Sequence, residues 1–348
     1  MTGNRSATAW APASLSNLGP GFDALGAAID GLGDTVRAEE TPGEAITVSF
    51  DPEGAWVGPV DPKSNTAAVA AGHVAASLGY RGGLHLIIRK GLAAGTGLGS
   101  SAASSVAAAV ATEQLLGGAL SQEDMMAAVV AGEAATSGQA HADNVLPSLL
   151  GGFVLMRSIH PADHVRMEGW DDLGLIIVLP KAEVMTREAR KALPDMVPLS
   201  RAVDHAARLA MLANALQRRD VRSLGTWMMS DDIVIPARHH LWPYLDEVTN
   251  AALESGAAGC TISGSGPAIV ACYDRTKAGL RESLQAALSA ALRSAGLEGG
   301  VSIHRIHNHG ALILDDEGVV SWRTGDPVPL PNRYFCNGHH ERPHDDLR

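Results

Sequence analysis

The stretch Gly-Thr-Gly-Leu-Gly-Ser-Ser at residues 95–101 runs directly into an alanine-rich segment at residues 102–111. Alternating glycines let a backbone approach a ligand closely and adopt positive φ at little cost. The start of a helix presents unpaired N–H groups and the positive end of its dipole, so anions bind there readily. Because the alternating apolar run at residues 84–90 predicts a preceding strand, the sequence predicts a strand, a phosphate-binding loop and a helix, in that order.

The glycine spacing departs from two common phosphate-binding motifs. A P-loop needs a lysine after its last glycine, and a dinucleotide fingerprint needs its third glycine one residue later. On these residues alone, an ordinary glycine–serine connection before a helix stays an alternative. The adjacent hydroxyls of Ser100 and Ser101 favour the ligand site, because they can cap the helix or offer oxygen to Mg²⁺.

Composition favours a two-domain protein with a core of small aliphatic side chains. The 348 residues are enough for about two domains. Hydrophobic residues make up 46% of the chain but aromatic residues only 4%, which suits closely packed helices and sheets. The formal net charge of −11 argues against a nucleic-acid-binding protein. No apolar run approaches the roughly 18 residues of a membrane span, so we expect no membrane association.

The cysteines favour a reducing compartment. Cys260, Cys272 and Cys336 are odd in number and scattered, without a CxxC pair. The chain also shows no secretory leader pattern. We therefore expect a cytoplasmic protein in which Cys260 and Cys272 are small core residues.

The hydrophobic periodicity predicts the α+β class with a mostly antiparallel sheet. Ser121 is expected to cap a helix, since Glu123 and Asp124 follow it in the first turn. The main predicted elements are helices at residues 67–78, 121–138, 186–193 and 201–217, strands at residues 7–13, 151–156 and 173–179, a loop at residues 14–21, and a break in the periodicity at residues 141–147.

An acidic stretch at residues 161–172 is the predicted domain boundary. We assign residues 1–160 to an N-terminal domain and residues 161–314 to a C-terminal domain. Residues 315–348 are expected to form a flexible extension, because their last part combines Pro, Arg, His and Asp with almost no apolar face.

Four separated segments carry a family resemblance: residues 11–26, which contain Asn-Leu-Gly-Pro-Gly-Phe-Asp, the loop at residues 95–101, the His-Ala-Asp-Asn-Val-Leu-Pro segment at residues 141–147, and Ser-Gly-Ser-Gly-Pro at residues 263–267. The chain resembles the GHMP small-molecule kinases and, within that superfamily, the homoserine kinase family. The resemblance implies a two-domain GHMP kinase fold. It pairs an N-terminal, nucleotide-binding domain like ribosomal protein S5 with a C-terminal ferredoxin-like α/β sandwich.

The resemblance also implies an activity. It is the ATP-dependent phosphorylation of the side-chain hydroxyl of L-homoserine to O-phospho-L-homoserine, a step of threonine biosynthesis, by a homodimer. Ser101 and Glu133 are the implied Mg²⁺ ligands. A solvated glutamate near a helix end is the alternative for Glu133. The ATP phosphates are expected on the backbone of Gly95, Thr96, Gly97, Leu98, Gly99, Ser100 and Ser101.

The amino-acid substrate needs partners for an ammonium, a carboxylate and a hydroxyl. Asp23 is the expected partner of the ammonium, with Asn17 beside it, although both are also common turn residues. Arg190 and Arg238 are chosen for the carboxylate, because a guanidinium fork matches carboxylate geometry. Arg187 is a nearby alternative to Arg190, and an exposed helix-end arginine is the alternative for Arg238.

Four residues are expected around the reacting groups. His141 and Asn144 should border the hydroxyl, and Thr186 should contact the γ-phosphate. Asp143 is the candidate general base, but homoserine kinases could instead rely on positioning without a strong base.

The chain departs from the family pattern at two places. The proline that usually stands two residues before the first loop glycine is replaced by Ala93, and the family's Glu-Pro-x-Arg is here Ile-Pro-Ala-Arg at residues 235–238.

Two other functions remain open at this point. One is a GHMP kinase for another alcohol, such as mevalonate or a sugar, and the other is a non-catalytic relative that binds nucleotide or ligand.

Overall fold

The computed structural model describes residues 5–137, 141–159, 162–182, 184, 186–315, 318–323, 325, 326 and 328, without the side chains of residues 136, 137, 186 and 187. The described residues form two sheets. In chain order the strands are β1 (Ser6–Asn17), β2 (Gly21–Thr41), β3 (Ile46–Phe50), β4 (Gly83–Arg89), β5 (Phe153–Ser158), β6 (Asp163–Met167), β7 (Leu173–Pro180), β8 (Gly259–Ile262), β9 (Ile269–Asp274), β10 (Gly299–His304), β11 (Leu312–Asp315) and β12 (Gly318–Ser321).

The first sheet has the order β12-β11-β1-β2-β4-β3, with β5 and β6 joined to β2, and the second sheet has the order β10-β7-β9-β8. Only the β3–β4 pair among these strands is parallel. The predicted α+β class and the mostly antiparallel pairing are therefore confirmed.

The helices are α1 (Thr66–Ser77), α2 (Ser100–Leu116), α3 (Gln122–Ser137), α4 (Ala142–Leu150), α5 (Thr186–Lys191), α6 (Leu199–Gln217), α7 (Val221–Met228), α8 (Val234–Arg238), α9 (Leu245–Glu254) and α10 (Leu280–Ser294).

Helix α2 lies at the centre of the first domain. Nearly all of its residues are buried, and it packs against α1, α3, α4, β1 and β2. Its many alanines allow this close packing on every side, because they fill little space between neighbouring elements. A Cβ at Gly132 of α3 would lie only 2.2 Å from the Ser105 hydroxyl of α2. Helices α2 and α3 are therefore in close contact at this point.

Most of the predicted elements agree with the structure. The helix predicted after Ser121 is α3, and the Ser121 hydroxyl accepts the Asp124 backbone N–H at 3.0 Å. Strand β1 continues through residues 14–17, where we expected a loop. Hydrogen bonds to β2 and across to the loop of residues 95–101 keep this stretch extended, which the local sequence does not reveal.

Residues 141–147 also differ from the expectation, because most of them lie in α4. Pro147 lacks the N–H that would bond the Asp143 carbonyl within the helix. That carbonyl instead faces the backbone of Gly26 in β2, where a Cβ would lie 1.8 Å from it. The helix is stabilised in spite of this missing hydrogen bond, because four apolar side chains on one of its faces are buried, namely Val145, Leu146, Leu149 and Leu150.

The division of the chain at residues 160 and 314 stays a prediction, and strand pairing crosses both positions. Strands β5 and β6 form a hairpin that spans the first boundary and belongs to the first sheet. Beyond residue 304 the chain returns to that sheet, where β11 pairs with β1 and β12 pairs with β11. Strand β12 lies within the stretch predicted as a flexible extension, while residues 329–348 lie outside the described residues. No described helix is both long enough and apolar enough to cross a membrane.

The contact between Gly26 and α4 generates a test of this packing. We expect Gly26→Ala to lower the free energy of unfolding by about 1–3 kcal/mol, because β2 or α4 must move to admit the methyl group. Chemical denaturation of the full chain measures the loss. Gly300→Ala in β10 is the control, because nothing lies within 4 Å of its added Cβ. Equal denaturation midpoints for the two variants would contradict the close approach.

Candidate active site

A cavity of about 1000 Å³ opens between the two sheets. Its walls include the loop at residues 95–101, the turn at residues 263–267, the first turn of α4, helix α5 and the end of α8. An apolar recess formed by Phe50, Trp56 and Ile88 extends it beyond the loop. All four segments that carry the family resemblance therefore meet at this cavity.

The loop at residues 95–101, called the phosphate loop below after its predicted role, has the backbone that its glycines predict. Gly95, Gly97 and Gly99 have φ of 72°, 76° and 64°, the left-handed region that favours glycine. Helix α2 begins directly after them at Ser100, as predicted. Six of the seven predicted loop residues line the cavity, whereas the Leu98 side chain is buried in the core below. The Ser100 hydroxyl donates a hydrogen bond to the Leu92 carbonyl at 3.2 Å, so this hydroxyl binds another part of the protein.

The second glycine–serine turn packs against the loop through backbone atoms. A Cβ at Gly97 would lie 2.7 Å from the Ser263 carbonyl oxygen and 2.8 Å from that of Gly266. The Ser263 hydroxyl donates to the Gly97 carbonyl at 2.7 Å, and the Ala268 N–H donates to the Thr96 carbonyl at 3.2 Å. The turn thus fixes the outer side of the loop from the second sheet.

Ser101 and Glu133 lie together, as the resemblance implied. The Ser101 hydroxyl donates to Glu133 Oε1 at 3.0 Å. Glu133 is buried, so the solvated alternative for this residue is wrong. The same carboxylate oxygen lies 3.5 Å from His141 Nδ1, and this interaction raises the pKa of His141 despite its partial burial. A hydroxyl and a carboxylate on the cavity wall are the hard oxygen donors that Mg²⁺ prefers.

Asp143 and Asn144 project from the first turn of α4. Asp143 is fully buried, and this burial, together with the charge of Asp23, raises its pKa to about 7. Asn144 Nδ2 donates to Asp143 Oδ1 at 3.4 Å. The Ser14 hydroxyl donates to Asn144 Oδ1 at 3.1 Å and so fixes the direction of the amide. Ser14 lies inside the matched segment 11–26, but nothing in its sequence context singled it out.

Two guanidinium groups lie over the ring of Phe22. Arg190 and Arg238 stand 5.6 Å and 5.1 Å from the centre of its ring, a cation–π distance. Arg238 is only 2% exposed, so the exposed alternative is wrong. It donates to the Ala189 carbonyl at 2.6 Å. Burial and the charge of Arg190 lower its pKa to about 10, which still leaves it charged at neutral pH.

Asp23 and Asn17 are held by neighbouring groups of the cavity wall. Asp23 accepts two hydrogen bonds from Arg190, each at 3.0 Å. Asn17 accepts the Asp23 backbone N–H at 3.1 Å and donates to the Gly264 carbonyl at 3.0 Å. Asn17 therefore orients the loop that carries Asp23 and joins it to the second glycine–serine turn. Thr186 begins α5, as predicted, but its side chain lies outside the described residues.

Lys90 is a cavity residue that sequence reasoning missed. It lies at the end of the predicted strand 84–90, just before the loop, and pairs with Asp34 under the first turn of α2. The available signal was a single lysine at a strand end. Lysines at such positions are usually solvated, so the signal was weak.

The chain matches two family models. "GHMP kinases N terminal domain" matches residues 65–152, and "GHMP kinases C terminal" matches residues 212–302. The predicted two-domain GHMP architecture is thereby confirmed.

Curated relatives and solved structures agree with these matches. The homoserine kinase of Pyrococcus abyssi is 40% identical over 77% of this chain and 88% of the relative. That of Arabidopsis thaliana is 40% identical over 78% of this chain and 74% of the relative. A crystal structure of homoserine kinase from Cytophaga hutchinsonii has 35% identity and a TM-score of 0.82 over 90% of this chain and 98% of that one. L. major mevalonate kinase, at 20% identity and a TM-score of 0.64, shares the fold.

Proposed function

Because this chain belongs to the homoserine kinase family of the GHMP kinases, we propose that it transfers the γ-phosphoryl group of ATP to the side-chain hydroxyl of L-homoserine. The products are ADP and O-phospho-L-homoserine, an intermediate of threonine biosynthesis. One observation carries the proposal. Arg190, Arg238 and Asp23 converge in the cavity that the phosphate loop lines.

This group of charges suits an amino-acid zwitterion. In the structure the Asp23 carboxylate and the Arg190 guanidinium form an ion pair with each other. A bound zwitterion gives each of them a new partner of opposite charge, because its carboxylate can bind Arg190 and Arg238 while its ammonium binds Asp23. An alcohol with a carboxylate and no ammonium, such as mevalonate, would take Arg190 away and leave Asp23 without a cation, which is unfavourable. The site therefore favours the amino acid over mevalonate.

ATP fits the rest of the cavity. Its phosphates are assigned to the backbone N–H groups of residues 95–101, where the dipole of α2 favours anions. The base is assigned to the recess lined by Phe50, Trp56 and Ile88, which offers apolar and aromatic contact. This places the γ-phosphate beside α4, between the loop and the amino-acid subsite.

Ser101 and Glu133 are the proposed Mg²⁺ ligands, since they present adjacent oxygens at the phosphate end of the cavity. When bound, Mg²⁺ supplies positive charge that neutralises the phosphate oxygens. His141 lies against Glu133 and also lines the cavity, and we assign it to border the substrate hydroxyl.

The catalytic roles rest on α4 and α5. Asn144, held by Ser14, is assigned to orient the substrate hydroxyl. Asp143 is the proposed proton acceptor, since a pKa of about 7 leaves a large ionised fraction at neutral pH while keeping the carboxylate basic. Thr186 is assigned to the γ-phosphate from its place at the start of α5.

We also propose that the protein is a homodimer, and helix α6 supplies the support. Six exposed residues recur at helical spacing along one face of α6, and none is charged. Such a face is unusual for a solvated helix. These residues are Leu199, Val203, Ala206, Ala210, Asn214 and Gln217.

A second copy of α6 fits this face when the two helices run antiparallel and cross at Ala206. Val203 then lies opposite Ala210 of the second copy, and Ala206 lies opposite Ala206, so at least one small side chain stands at each of these contacts. A two-fold interface needs such self-complementarity.

The compartment is proposed to be the cytoplasm, where the free thiols of Cys260 and Cys272 stay reduced.

The substrate assignment predicts selective turnover. In a coupled ADP-release assay we expect L-homoserine to be preferred over L-serine, L-threonine and mevalonate. Arg190→Met should raise the KM for L-homoserine about 10- to 100-fold, the loss expected for a charge-assisted pair, and Arg187→Met on the same helix is the matched control. Turnover of mevalonate in place of L-homoserine would refute the assignment, and ATP binding without turnover of any alcohol would favour a non-catalytic relative.

Base catalysis by Asp143 predicts a pH dependence. Asp143 is protonated below its pKa of about 7 and ionised above it, so kcat/KM should rise as the pH passes through 7 and then level off. Asp143→Asn should abolish this rise and lower kcat about 10²- to 10⁴-fold. Asp204→Asn, an exposed carboxylate on α6, is the control. A variant that keeps most of its kcat would support catalysis by positioning alone.

The metal assignment predicts a changed Mg²⁺ titration. At saturating ATP, Glu133→Gln should raise the Mg²⁺ concentration for half-maximal activity about tenfold, because a neutral amide binds the ion more weakly than a carboxylate. Glu123→Gln, on the exposed side of the same helix, should leave the titration as it is. If the Glu133 variant titrates like the wild type, the residue is not a ligand.

The proposed dimer predicts a monomeric variant. Ala206→Glu would place two carboxylates against each other at the crossing point, so we expect a mass of one chain in sedimentation equilibrium. Ala290→Glu, an equally exposed alanine on α10, should keep the dimer mass. A monomeric wild type, or an Ala206→Glu protein that stays dimeric, rules out this interface.

A further inference from the structure

A buried ion pair lies beneath the phosphate loop and takes no part in the chemistry proposed above. Lys90, after the end of β4, pairs with Asp34 in β2, and their side chains are 4% and 0% exposed. Two charges removed from water cost several kcal/mol unless hydrogen bonds compensate them, and apolar residues of similar volume often serve stability as well or better. The pair therefore calls for a role besides stability.

The ammonium of Lys90 is fully occupied by protein groups. It donates to Asp34 Oδ2, to the Ser100 carbonyl at 2.8 Å and to the Ser104 hydroxyl at 2.9 Å. A lysine has three N–H donors, so each of them has a partner. Although Lys90 lines the cavity, it could reach a ligand only by giving up one of these bonds.

Asp34 binds the same turn of helix from the other side. Its Oδ2 also accepts the Ser104 hydroxyl at 2.6 Å, and its Oδ1 accepts the Gly91 N–H at 3.0 Å. Ser100 and Ser104 are the first and fifth residues of α2. The pair thus joins two strands, the segment that leads into the phosphate loop and the first turn of the helix that follows it.

We propose that Asp34 and Lys90 are positioning residues for nucleotide binding, which fix the first turn of α2 so that the N–H groups of residues 97–101 point into the cavity. This rests on the proposed function in that the loop is taken to hold the ATP phosphates. The carbonyl of Ser100 is the direct link, because it belongs to the last peptide units of the loop and is bonded to Lys90. Neither residue contacts the nucleotide in this proposal.

A double-mutant cycle tests the pair. The affinity of the full chain for a non-hydrolysable ATP analogue is measured by calorimetry for Asp34→Asn, Lys90→Met and the double variant. Each single variant should weaken binding about tenfold, and the double variant should be no weaker than the worse single variant, because each residue acts through the other. With ATP in the assay, its KM should rise while kcat at saturating ATP stays within about twofold.

Two further variants separate positioning from general destabilisation. Ser104→Ala removes one member of the network without leaving a charge unpaired, so it should fold and weaken binding about threefold even if the charge variants do not fold. Glu113→Gln, near the opposite end of α2, disturbs the hydrogen bonds to Leu120 and Trp322 and should leave the affinity unchanged.

Several outcomes would overturn the proposal. If Lys90→Met weakens binding but Asp34→Asn does not, Lys90 contacts the nucleotide directly. If Glu113→Gln weakens binding as much as Ser104→Ala, the pair only stabilises the helix. Unchanged affinity in every folded variant also excludes the role. A wild-type chain that does not bind the analogue would instead refute the proposed function, so the two failures are distinguishable.

Discussion

The backbone contact between two glycine turns is the constraint on which the site depends. Gly97 of the phosphate loop meets Ser263 and Gly266 at distances that leave no room for a Cβ. Hydrogen bonds from Ser263 and Ala268 to the loop accompany this contact. The first sheet positions the loop, and the turn from the second sheet packs against it. The shape of the cavity between the two sheets therefore depends on this contact. Arg190, Arg238 and Asp23 all line this cavity, and Arg190 is paired with Asp23.

Charge inside the cavity is set locally and differs from the charge of the whole chain. The chain carries a net charge of −11, yet the helix start and two guanidinium groups make parts of this cavity favourable for anions. Burial shifts the titrating groups in opposite directions. It raises the pKa of Asp143 to about 7 and lowers that of Arg238 to about 10. An acid that is half ionised and a base that stays charged can therefore stand in one site near neutral pH.

Most of the site residues that the sequence predicted do line the cavity, because family motifs name residues by their place in the chain. Sequence reasoning assigned Asp23 and Arg190 to different groups of the substrate, whereas the structure pairs them with each other. It missed Ser14, which fixes Asn144, and the buried pair of Asp34 and Lys90. Ser14 lies 130 positions from Asn144 in the chain, and Lys90 lies 56 positions from Asp34. No local pattern of residues reports such contacts.

The sequence by itself determined the phosphate loop and its helix, since positive φ at alternating glycines and the helical preference of alanine are local properties. It also determined the fold class, through the periodicity of apolar residues. Tertiary structure alone decided that residues 141–147 are largely helical, that β11 and β12 return to the first sheet, and that Arg238 is buried. The reason is physical. Burial, strand pairing and the match between the Asp143 carbonyl and Gly26 depend on segments distant in the chain, and their free energy exists only once those segments are packed together.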